Sequence, residues 1–316
     1  MVVEAISKKL RMGGYAIREA RQEFQREGVQ GLTGFFRDIR QLASDRTALR
    51  SRQRTSIYGN SSSISDMGLY PRFCRWAAED ESVFSRFRRS LIYRGILEHV
   101  SEEQGLQYLA EIGKSRSGLG EFATLIESDF VGNPLCFSYG DIGPVSPTLL
   151  RYIKVASDLQ QLFGSLDGMS IAEIGIGYGG QCRVLESAWA INSYTLYDIP
   201  EVLALTGKFL EATGVSQMHI AQSDGRKPMQ GVFDLVISNY AFSELRSESQ
   251  EAYMERVIDK SIRGYVTYNH ISPVEWNSLS ADEFAARIPG AQVLEEIPLT
   301  HPENVIVAWG LGREEG

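Results

Sequence analysis

The sequence predicts an α/β fold in which a largely parallel sheet carries helices on both faces and follows a mainly α-helical N-terminal region. From Ser170 onward, short apolar runs alternate with helical patterns, which indicates βαβ units and a parallel sheet. The last two apolar runs have no helix between them, so they are expected to close the sheet as an antiparallel hairpin. Before Asn133, apolar residues recur at helical spacing.

Individual elements follow from the apolar runs and from the Gly, Pro, Ser and Asn residues that separate them. The predicted strands span residues 170–174, 194–198, 218–222, 233–238, 263–269, 291–298 and 304–310. The predicted helices of the same part span residues 180–190, 200–213, 247–261 and 280–287. In the N-terminal region, Ser101 with Gln104 three residues later predicts a helix start. Residues 58–67, rich in Ser, Gly and Asn, predict a loop.

Length and composition indicate a folded globular protein. The chain has 316 residues, of which 43% are hydrophobic and 23% charged, and these values exclude a disordered or fibrous protein. We divide it into a helical region at 1–130 that serves as lid, dimerisation or acceptor-binding element, a connecting segment at 131–165 that contributes to the cleft, and a cofactor-binding domain at 166–316. A homo-oligomer formed through the helical region is compatible with this division.

Cysteine use and hydropathy favour a cytoplasmic protein. No apolar run is long enough for a membrane span, and the first residues lack the apolar stretch of a secretory signal. The three cysteines, Cys74, Cys136 and Cys182, are far apart, which favours reduced thiols over disulfides or a zinc site.

Charge is distributed unevenly along the chain. Residues 1–98 carry 18 Lys and Arg against 11 Asp and Glu, whereas the remainder carries 14 against 29. The simplest interpretation of the basic front is solvated helix faces, and a phosphate-bearing acceptor, a membrane surface or dimer contacts are the alternatives. No basic run is interleaved with aromatic residues, so a nucleic-acid partner is not expected.

A glycine-rich loop follows the first strand of the α/β part. Gly175, Gly177, Gly179 and Gly180 come directly after the strand at 170–174. Without side chains at these positions, the backbone turns tightly and a ligand approaches the main chain closely. The first, second and fourth of these glycines satisfy the dinucleotide pattern GxGxxG. The first three satisfy GxGxG, the pattern of S-adenosylmethionine loops, so the loop alone leaves both cofactors open.

Two carboxylates beside the loop help to choose between these cofactors. Asp198, at the end of the next strand, is placed to accept hydrogen bonds from ribose hydroxyls, and the adjacent Ile199 is included in the predicted cofactor site. Glu173 lies two residues before the first glycine. A charge there repels a pyrophosphate by roughly several kcal/mol at an effective dielectric near 20, whereas it attracts the ammonium group of a methionine moiety. S-adenosyl-L-methionine is therefore the favoured cofactor.

The closing hairpin makes residues 166–312 resemble the class I methyltransferase fold, a Rossmann-like seven-stranded sheet with a terminal antiparallel hairpin. This resemblance implies that Asp224, in the segment SDG after the third strand, lies at the adenine-binding turn. It also implies that FDLVISNYAFSEL corresponds to the fourth motif of that fold. Asn239, Tyr240 and Glu244 then lie at the carboxyl end of a strand, where open α/β sheets place ligands.

The segments SYGDIGP, AEIGIGYGGQ, LYDIPE and SNYAFSEL together resemble the sugar O-methyltransferase family, whose members occur in polysaccharide and glycosylated natural-product clusters. The resemblance spans residues 130–310. It implies methyl transfer from S-adenosylmethionine to a sugar hydroxyl of a glycan or glycosylated natural product. We expect Tyr139 and Asp141, from SYGDIGP, to line the cleft, a hydrogen-bonded turn being the alternative.

Methylation of a hydroxyl needs a group that accepts its proton, and general-base assistance typically contributes about 10²–10⁴-fold. His270 follows the strand ending in YVTYN and is the first candidate, with His301 in the terminal hairpin and Glu244 as alternatives. Tyr240 and Trp276 are placed to stack on a sugar face, although a core or surface aromatic is the simpler explanation of each taken alone.

Other histidines and a metal are not part of the predicted site. His99 is expected to be a surface residue of the helical region. The sequence holds no dense acidic triplet near the acceptor, so metal-free action is predicted. Two other functions remain open from the sequence: an NAD(P)-dependent oxidoreductase that uses the overlapping GxGxxG loop, and a non-catalytic partner protein that retains the fold.

Overall fold

The computed structural model describes residues 14–52, 69–114, 123–127, 129–215, 220–225 and 227–311. The loop predicted at 58–67 and the start of the strand predicted at 218–222 lie outside these ranges. Among the helices of the described ranges, none has both the length and the apolar character that crossing a bilayer requires.

Eleven α-helices occur in the described residues. They are α1 Gly14–Arg52, α2 Tyr70–Glu79, α3 Glu81–Phe84, α4 Leu91–Arg94, α5 Glu102–Ile112, α6 Ala123–Glu127, α7 Pro147–Phe163, α8 Gly180–Ala188, α9 Pro200–Ala212, α10 Ser247–Arg256 and α11 Ala281–Ala286. Gly28, with φ 59°, interrupts α1. Ser101 caps α5 in a capping box with Gln104, which confirms the predicted helix start.

Within the described part of the chain, nine strands form two sheets. They are β1 Phe137–Ser138, β2 Pro144–Val145, β3 Ser170–Ile174, β4 Ser193–Asp198, β5 Ile220–Asp224, β6 Phe233–Asn239, β7 Ser261–Tyr268, β8 Gln292–Glu295 and β9 Val305–Trp309. The first two pair as a small antiparallel ribbon, and the other seven form one sheet in the order β5-β4-β3-β6-β7-β9-β8.

Strand β9 is the antiparallel member of the large sheet, inserted between β7 and β8. The pairs β4–β5, β3–β4, β3–β6 and β6–β7 are all parallel. The predicted closing hairpin is therefore confirmed. A parallel sheet in this order with an inserted last strand is the fold that the class I methyltransferase resemblance implies, so the predicted fold class is confirmed as well.

The helical region packs directly against the glycine loop. Tyr178, inside the loop, has its ring centroid 5.8 Å from that of Phe87 and 4.8 Å from that of Phe209 on α9. The guanidinium of Arg88 lies 4.8 Å from the same tyrosine ring. A continuous buried cluster joins α2, α5, α7 and strands β3 and β4. This packing brings N-terminal residues to the carboxyl edge of the sheet, where the candidate site lies.

Candidate active site at the carboxyl edge of the sheet

A cavity of about 500 Å³ opens at the carboxyl ends of β3, β4, β6 and β7. Parallel strands bring their carboxyl ends to the same edge, which is where open α/β sheets bind ligands. Nine of the residues predicted from the sequence line the cavity. They are Glu173, Gly175, Gly177, Asp198, Ile199, Asn239, Tyr240, Glu244 and His301.

The glycine loop forms one wall because its backbone takes conformations that side chains disfavour. Gly175 has φ 77° and Gly177 has φ 58°, which lie in the left-handed region. A Cβ on Gly175 would lie 2.0 Å from Cβ of Ala241, and one on Gly177 would lie 2.9 Å from Cδ1 of Leu97. The loop therefore presents bare backbone to the cavity.

Asp198 connects the end of β4 to this loop. Its Oδ2 accepts a hydrogen bond from the backbone N–H of Gly177 at 3.1 Å, and its Oδ1 accepts one from Ile199 at 2.8 Å. Asp198 thus fixes the loop and faces the cavity at the position predicted for ribose recognition.

Glu173 is buried at the base of the cavity, with 2% of its surface exposed. Burial raises the pKa of its carboxyl to about 8, and the hydroxyl of Tyr194, which donates to Oε2 at 2.7 Å, opposes this shift only in part. The ligand-free carboxyl is therefore mostly protonated at neutral pH. The sequence predicted a full negative charge on Glu173 that would repel a pyrophosphate. Because burial disfavours the ionised form, that full charge is absent until a cation enters the cavity.

Asn239, at the end of β6, has an unsatisfied polar atom in the cavity wall. Its Nδ2 donates to Oε1 of Gln181 at 3.4 Å, whereas its buried Oδ1 has no hydrogen-bond partner among the described residues. A buried acceptor without a partner is costly, and a donor group on a ligand would satisfy it. The acidic Glu173, the bare loop and this acceptor together fit the amino-acid and ribose parts of S-adenosylmethionine.

Glu244 lies in the short 3-10 helix Ala241–Glu244 that follows β6. Burial raises the pKa of its carboxyl, and Nδ2 of Asn269, donating to Oε1 at 2.8 Å, opposes the shift. A carboxylate with a raised pKa is a stronger base when ionised. Glu244 therefore lines the cavity as a candidate proton acceptor.

Tyr240 forms another part of the wall in a left-handed conformation, with φ 69°. Its hydroxyl is hydrogen-bonded to the carboxylate of Glu296, which also accepts from the backbone N–H and the hydroxyl of Thr300 at 2.9 and 2.7 Å. The tyrosine ring thus reaches the cavity while its hydroxyl is tied to the segment between β8 and β9.

Histidines are distributed differently from the prediction. His270 is exposed, and the structure places its neighbours Asn269 and Ile271 in the cavity wall instead. Successive residues leaving a strand point to opposite sides, which explains why the first predicted base faces away. His301 lines the cavity. His99 is exposed, as predicted, and it also borders the cavity, where partial desolvation and the charge of Arg151 lower its pKa.

Two predicted cofactor residues lie outside the cavity wall. A Cβ on Gly179 would approach Cγ2 of Thr206 at 2.9 Å, so this glycine allows α9 to pack closely rather than admitting a ligand. Asp224 ends β5 opposite Asp198 in the strand register. Its neighbour Gly225 lines the cavity in its place.

Of the residues predicted to bind the sugar acceptor, only Tyr240 lines the cavity, and Tyr139, Asp141 and Trp276 lie outside its wall. Tyr139 is buried against Gly105, and its hydroxyl donates to the carbonyl of Glu102 at 3.3 Å. Asp141 is exposed in the short turn between β1 and β2. Trp276 is 2% exposed and its ring is covered by the guanidinium of Arg246 at 4.5 Å, so it offers no open face to a sugar.

Several lining residues were missed because they come from the helical region, from α7 and from the terminal hairpin. They include Tyr70, Leu97, His99, Gln104, Tyr108, Arg151, Thr300 and Asn304. One sequence signal was available: Arg151 and Lys154 interrupt an otherwise apolar stretch of α7, and both are 8% exposed. Charged residues that are buried on an apolar helix indicate a functional role or an ion pair.

Within the described residues, no group of three or more His, Cys, Asp and Glu side chains is arranged to hold a metal ion.

Comparison with known proteins finds one curated protein that is similar to part of this chain. No family model matches the chain. Over 73 residues it is 29% identical to the protein-L-isoaspartate O-methyltransferase of Pyrococcus abyssi, a match that covers 22% of this chain. The chain spans about a third (34%) of the length of that curated relative. The match therefore does not establish membership of a family, and the sugar O-methyltransferase resemblance stays a prediction.

Solved structures of methyltransferases are similar to this chain at low identity. The mitomycin 7-O-methyltransferase MmcR is 17% identical, with a TM-score of 0.37, over 52% of this chain and 57% of its own. A structure titled PigF with SAH is 16% identical, with a TM-score of 0.34, over 45% and 56%. The fold assignment rests on the strand order described above.

Removing the Asp198 carboxylate is expected to weaken binding of S-adenosylhomocysteine at least tenfold. Asp198→Ala releases the backbone N–H of Gly177 and deletes the predicted ribose acceptor, and hydrogen bonds to charged groups are worth about 1.5–3 kcal/mol each. Isothermal titration calorimetry measures the effect. Asp234→Ala is the matched control, because Asp234 accepts from the backbone N–H of Ser170 at 2.8 Å at the start of β3. Equal affinity in the two variants would contradict the assigned role.

Proposed function

We propose that this protein is an S-adenosylmethionine-dependent O-methyltransferase that acts on a sugar hydroxyl. The observation that carries the proposal is the convergence of Glu173, the glycine loop, Asp198 and the unsatisfied Oδ1 of Asn239 on one cavity. No one of these features is specific alone. Together they present an acidic group, bare backbone, a ribose acceptor and a free carbonyl oxygen in the order that the cofactor requires.

Each part of the cofactor has a corresponding group in the cavity wall. Glu173 would hold the ammonium group, because a cation restores the ionised form that burial disfavours. Asp198 would accept from the ribose hydroxyls, while Gly225 and Ile199 border the space beyond it. Gly175 and Gly177 leave room for the chain that joins the amino acid to the ribose. When bound, S-adenosylmethionine supplies a methyl group that is already activated on a sulfonium.

The protein's own chemical task is to orient the acceptor hydroxyl and to accept its proton. Glu244 is the proposed proton acceptor, with the carboxylate positioned by Nδ2 of Asn269. His301 and His99 line the same cavity and are the alternatives. Alignment of the acceptor by the surrounding wall supplies much of the remaining rate enhancement.

A sugar is the proposed acceptor because of the resemblance of SYGDIGP and SNYAFSEL to the sugar O-methyltransferase family and because of the polar lining. Gln104 and Asn304 line the cavity, and the buried Oδ1 of Asn304 has no hydrogen-bond partner among the described residues. Such groups suit a polyhydroxylated ligand, which has many donors and acceptors to satisfy.

Calorimetry with three ligands tests the proposed cofactor. We expect S-adenosylmethionine and S-adenosylhomocysteine to bind the purified protein and NAD not to displace them. The GxGxxG loop keeps the oxidoreductase alternative open, since Glu173 is mostly uncharged in the ligand-free protein at neutral pH. Binding of NAD that the sulfonium compound cannot reverse would reject the proposal in favour of that alternative.

Loss of the proposed base should reduce turnover without loss of the cofactor. Glu244→Gln is expected to lower kcat by about 10²–10⁴-fold, the usual contribution of a general base, while the Kd for S-adenosylhomocysteine changes little. Glu244 accepts a proton only when it is ionised, and its pKa is raised above the ordinary 4.5. Wild-type kcat is therefore expected to fall as the pH drops through this raised pKa. The measurement is S-adenosylhomocysteine release from a panel of sugar acceptors between pH 5 and 9.

Three histidine variants complete this experiment. His99→Gln and His301→Gln test the alternative bases, and His270→Gln tests the exposed histidine next to the cavity wall. A larger loss of kcat in any of the three than in Glu244→Gln would reassign the proton acceptor to that histidine. Absence of turnover with every sugar, together with a tightly bound partner protein, would favour the non-catalytic alternative.

A further inference from the structure

Arg151 is a buried cation in the cavity wall, and the described part of the chain supplies no anionic partner for it. It lies on α7 with 8% of its surface exposed. Among the described residues no carboxylate lies within ion-pair distance of its guanidinium. Its Nη2 donates a long hydrogen bond to the carbonyl of Leu97 at 3.4 Å, and its buried Nε has no hydrogen-bond partner there. An unpaired buried charge is strongly unfavourable.

Another buried arginine of the same chain is fully matched. Arg88, 1% exposed, donates to Glu98 at 2.5 Å, to Asp129 at 2.7 Å and to the hydroxyl of Ser146 at 2.9 Å. Arg151 instead has the rings of Tyr152 and Tyr240 at 5.5 and 5.9 Å. Aromatic faces support a cation but do not neutralise it, so the missing anion is expected to come from outside the chain.

The guanidinium lies among groups from several segments. Tyr108 is on α5 and Tyr240 follows β6, whereas Leu97, which follows α4, packs on Gly177 of the glycine loop. Arg151 also borders a small recess of about 20 Å³ that Glu296 and Lys154 share.

The other charged groups near Arg151 do not serve as its partner. The carboxylate of Glu296 is engaged by Tyr240 and Thr300, and Lys154 pairs with Asp158 at 2.7 Å. His99 also borders the cavity, but burial and the guanidinium both lower its pKa, which disfavours its cationic form. Arg151 therefore remains the permanent cation to be matched at this part of the described cavity wall.

We propose that the acceptor carries a negatively charged group, a carboxylate or a phosphate, and that Arg151 binds this group and thereby orients the hydroxyl to be methylated. The inference rests on the proposed function and narrows its substrate class from sugars in general to anionic sugars. A guanidinium suits both anions, because its planar N–H groups match two oxygens of either.

The test uses protein saturated with S-adenosylhomocysteine and three sugar probes. Sodium D-glucuronate carries a carboxylate, D-glucose 6-phosphate carries a phosphate, and methyl glucoside is neutral. Calorimetric or NMR titration of the wild-type protein is expected to show at least one anionic sugar binding at least tenfold more tightly than the neutral one. The stronger of the two anionic probes identifies the anion. Equal binding of all three, or no binding of any, would overturn the inference without any variant being needed.

Variants then assign the effect to Arg151. Arg151→Gln is expected to remove at least tenfold of the affinity for the anionic probe, and Arg151→Lys, which keeps the charge, is expected to retain part of it. Arg287→Gln is the matched control, because Arg287 is exposed and pairs with Glu251 on the protein surface. Anionic binding that survives in a folded Arg151→Gln variant would overturn the inference.

The same titrations separate this inference from the proposed function. S-adenosylhomocysteine has its own carboxylate, so its Kd is measured in each variant alongside that of 5′-methylthioadenosine, which lacks the amino-acid part. A weakening confined to S-adenosylhomocysteine in Arg151→Gln would assign the guanidinium to the cofactor and overturn the inference, while the proposed function stands. Failure of the wild-type protein to bind S-adenosylhomocysteine would instead reject the proposed function, and the inference with it.

Discussion

Glu173→Gln is expected to eliminate measurable binding of S-adenosylhomocysteine while making the ligand-free protein more stable at pH 8. The carboxyl of Glu173 has a folded-state pKa of about 8 against an ordinary 4.5. Because the folded state holds this proton more tightly than the unfolded state does, the wild-type protein loses stability as pH rises from about 4.5 to 8. A shift of this size corresponds to up to about 5 kcal/mol. Glutamine keeps the shape and does not ionise.

Thermal unfolding between pH 4 and 9 measures this difference. The melting temperatures of wild type and Glu173→Gln are expected to be similar near pH 4 and to separate progressively up to pH 8, with the variant higher. Glu103→Gln serves as the control, because Glu103 is exposed in the first turn of α5. Parallel pH profiles for wild type and Glu173→Gln would show that the carboxyl does not titrate in this range.

Calorimetry on the same two proteins measures the functional half of the prediction. Glutamine cannot supply the negative charge that an ammonium group requires, and removing one partner of a buried charge pair costs about 2–5 kcal/mol. Wild-type affinity for S-adenosylhomocysteine is also expected to weaken by about tenfold per pH unit below the folded-state pKa, because binding then requires release of a proton. An unchanged Kd in the variant would remove Glu173 from the cofactor site. A binding group that is held in an unfavourable environment lowers the stability of the protein. Replacing such a group commonly raises stability while it abolishes function.

Gly175→Ala is expected to lower both stability and cofactor affinity, and by more than a positive φ alone explains. The new Cβ would lie 2.0 Å from Cβ of Ala241, an atom that cannot move without its backbone. Forcing an extra methyl into a packed position costs about 1–3 kcal/mol, in addition to about 1–2 kcal/mol for a left-handed alanine. Ala241 directly follows Asn239 and Tyr240 in the cavity wall. A shift of Ala241 that relieves the clash therefore also displaces this part of the wall.

Gly168→Ala isolates the backbone contribution. Gly168 has φ 74°, and a Cβ there meets nothing within 4 Å. Thermal unfolding and calorimetry with S-adenosylhomocysteine on both variants are expected to show a modest loss of stability with normal affinity for Gly168→Ala, and a larger loss of both for Gly175→Ala. Equal melting temperatures and equal affinities in the two variants would show that the loop tolerates a side chain.

The sheet and part of its site were predictable from local patterns. Apolar runs of strand length and helical periodicity depend on a few neighbouring residues, so the alternation after Ser170 and the closing hairpin were predicted correctly. The convergence of Glu173, Asp198 and Asn239 was predictable for a related reason: parallel strands bring their carboxyl ends to one edge whatever the residues between them.

Contacts between distant segments were not predictable in this way. His99 reaches the cavity because the helical region packs on the glycine loop, and Arg151 reaches it from α7. No spacing in the sequence encodes either contact. Trp276 was predicted from its position after β7, yet Arg246 covers it. His270 faces away from the cavity although the residues on either side of it line the wall. A difference of one position along the chain therefore decides which side chain faces the cavity.

By itself, the sequence determined the order of strands and helices, the glycine loop and the carboxylates at its border, because each is a matter of residue type and short spacing. Only the tertiary structure decided which of these groups are buried together and what charge they carry. Burial removes water that stabilises ions, so Glu173 is largely neutral without a ligand and Arg151 is left as an unmatched cation. Both states arise from packing between segments far apart in the chain.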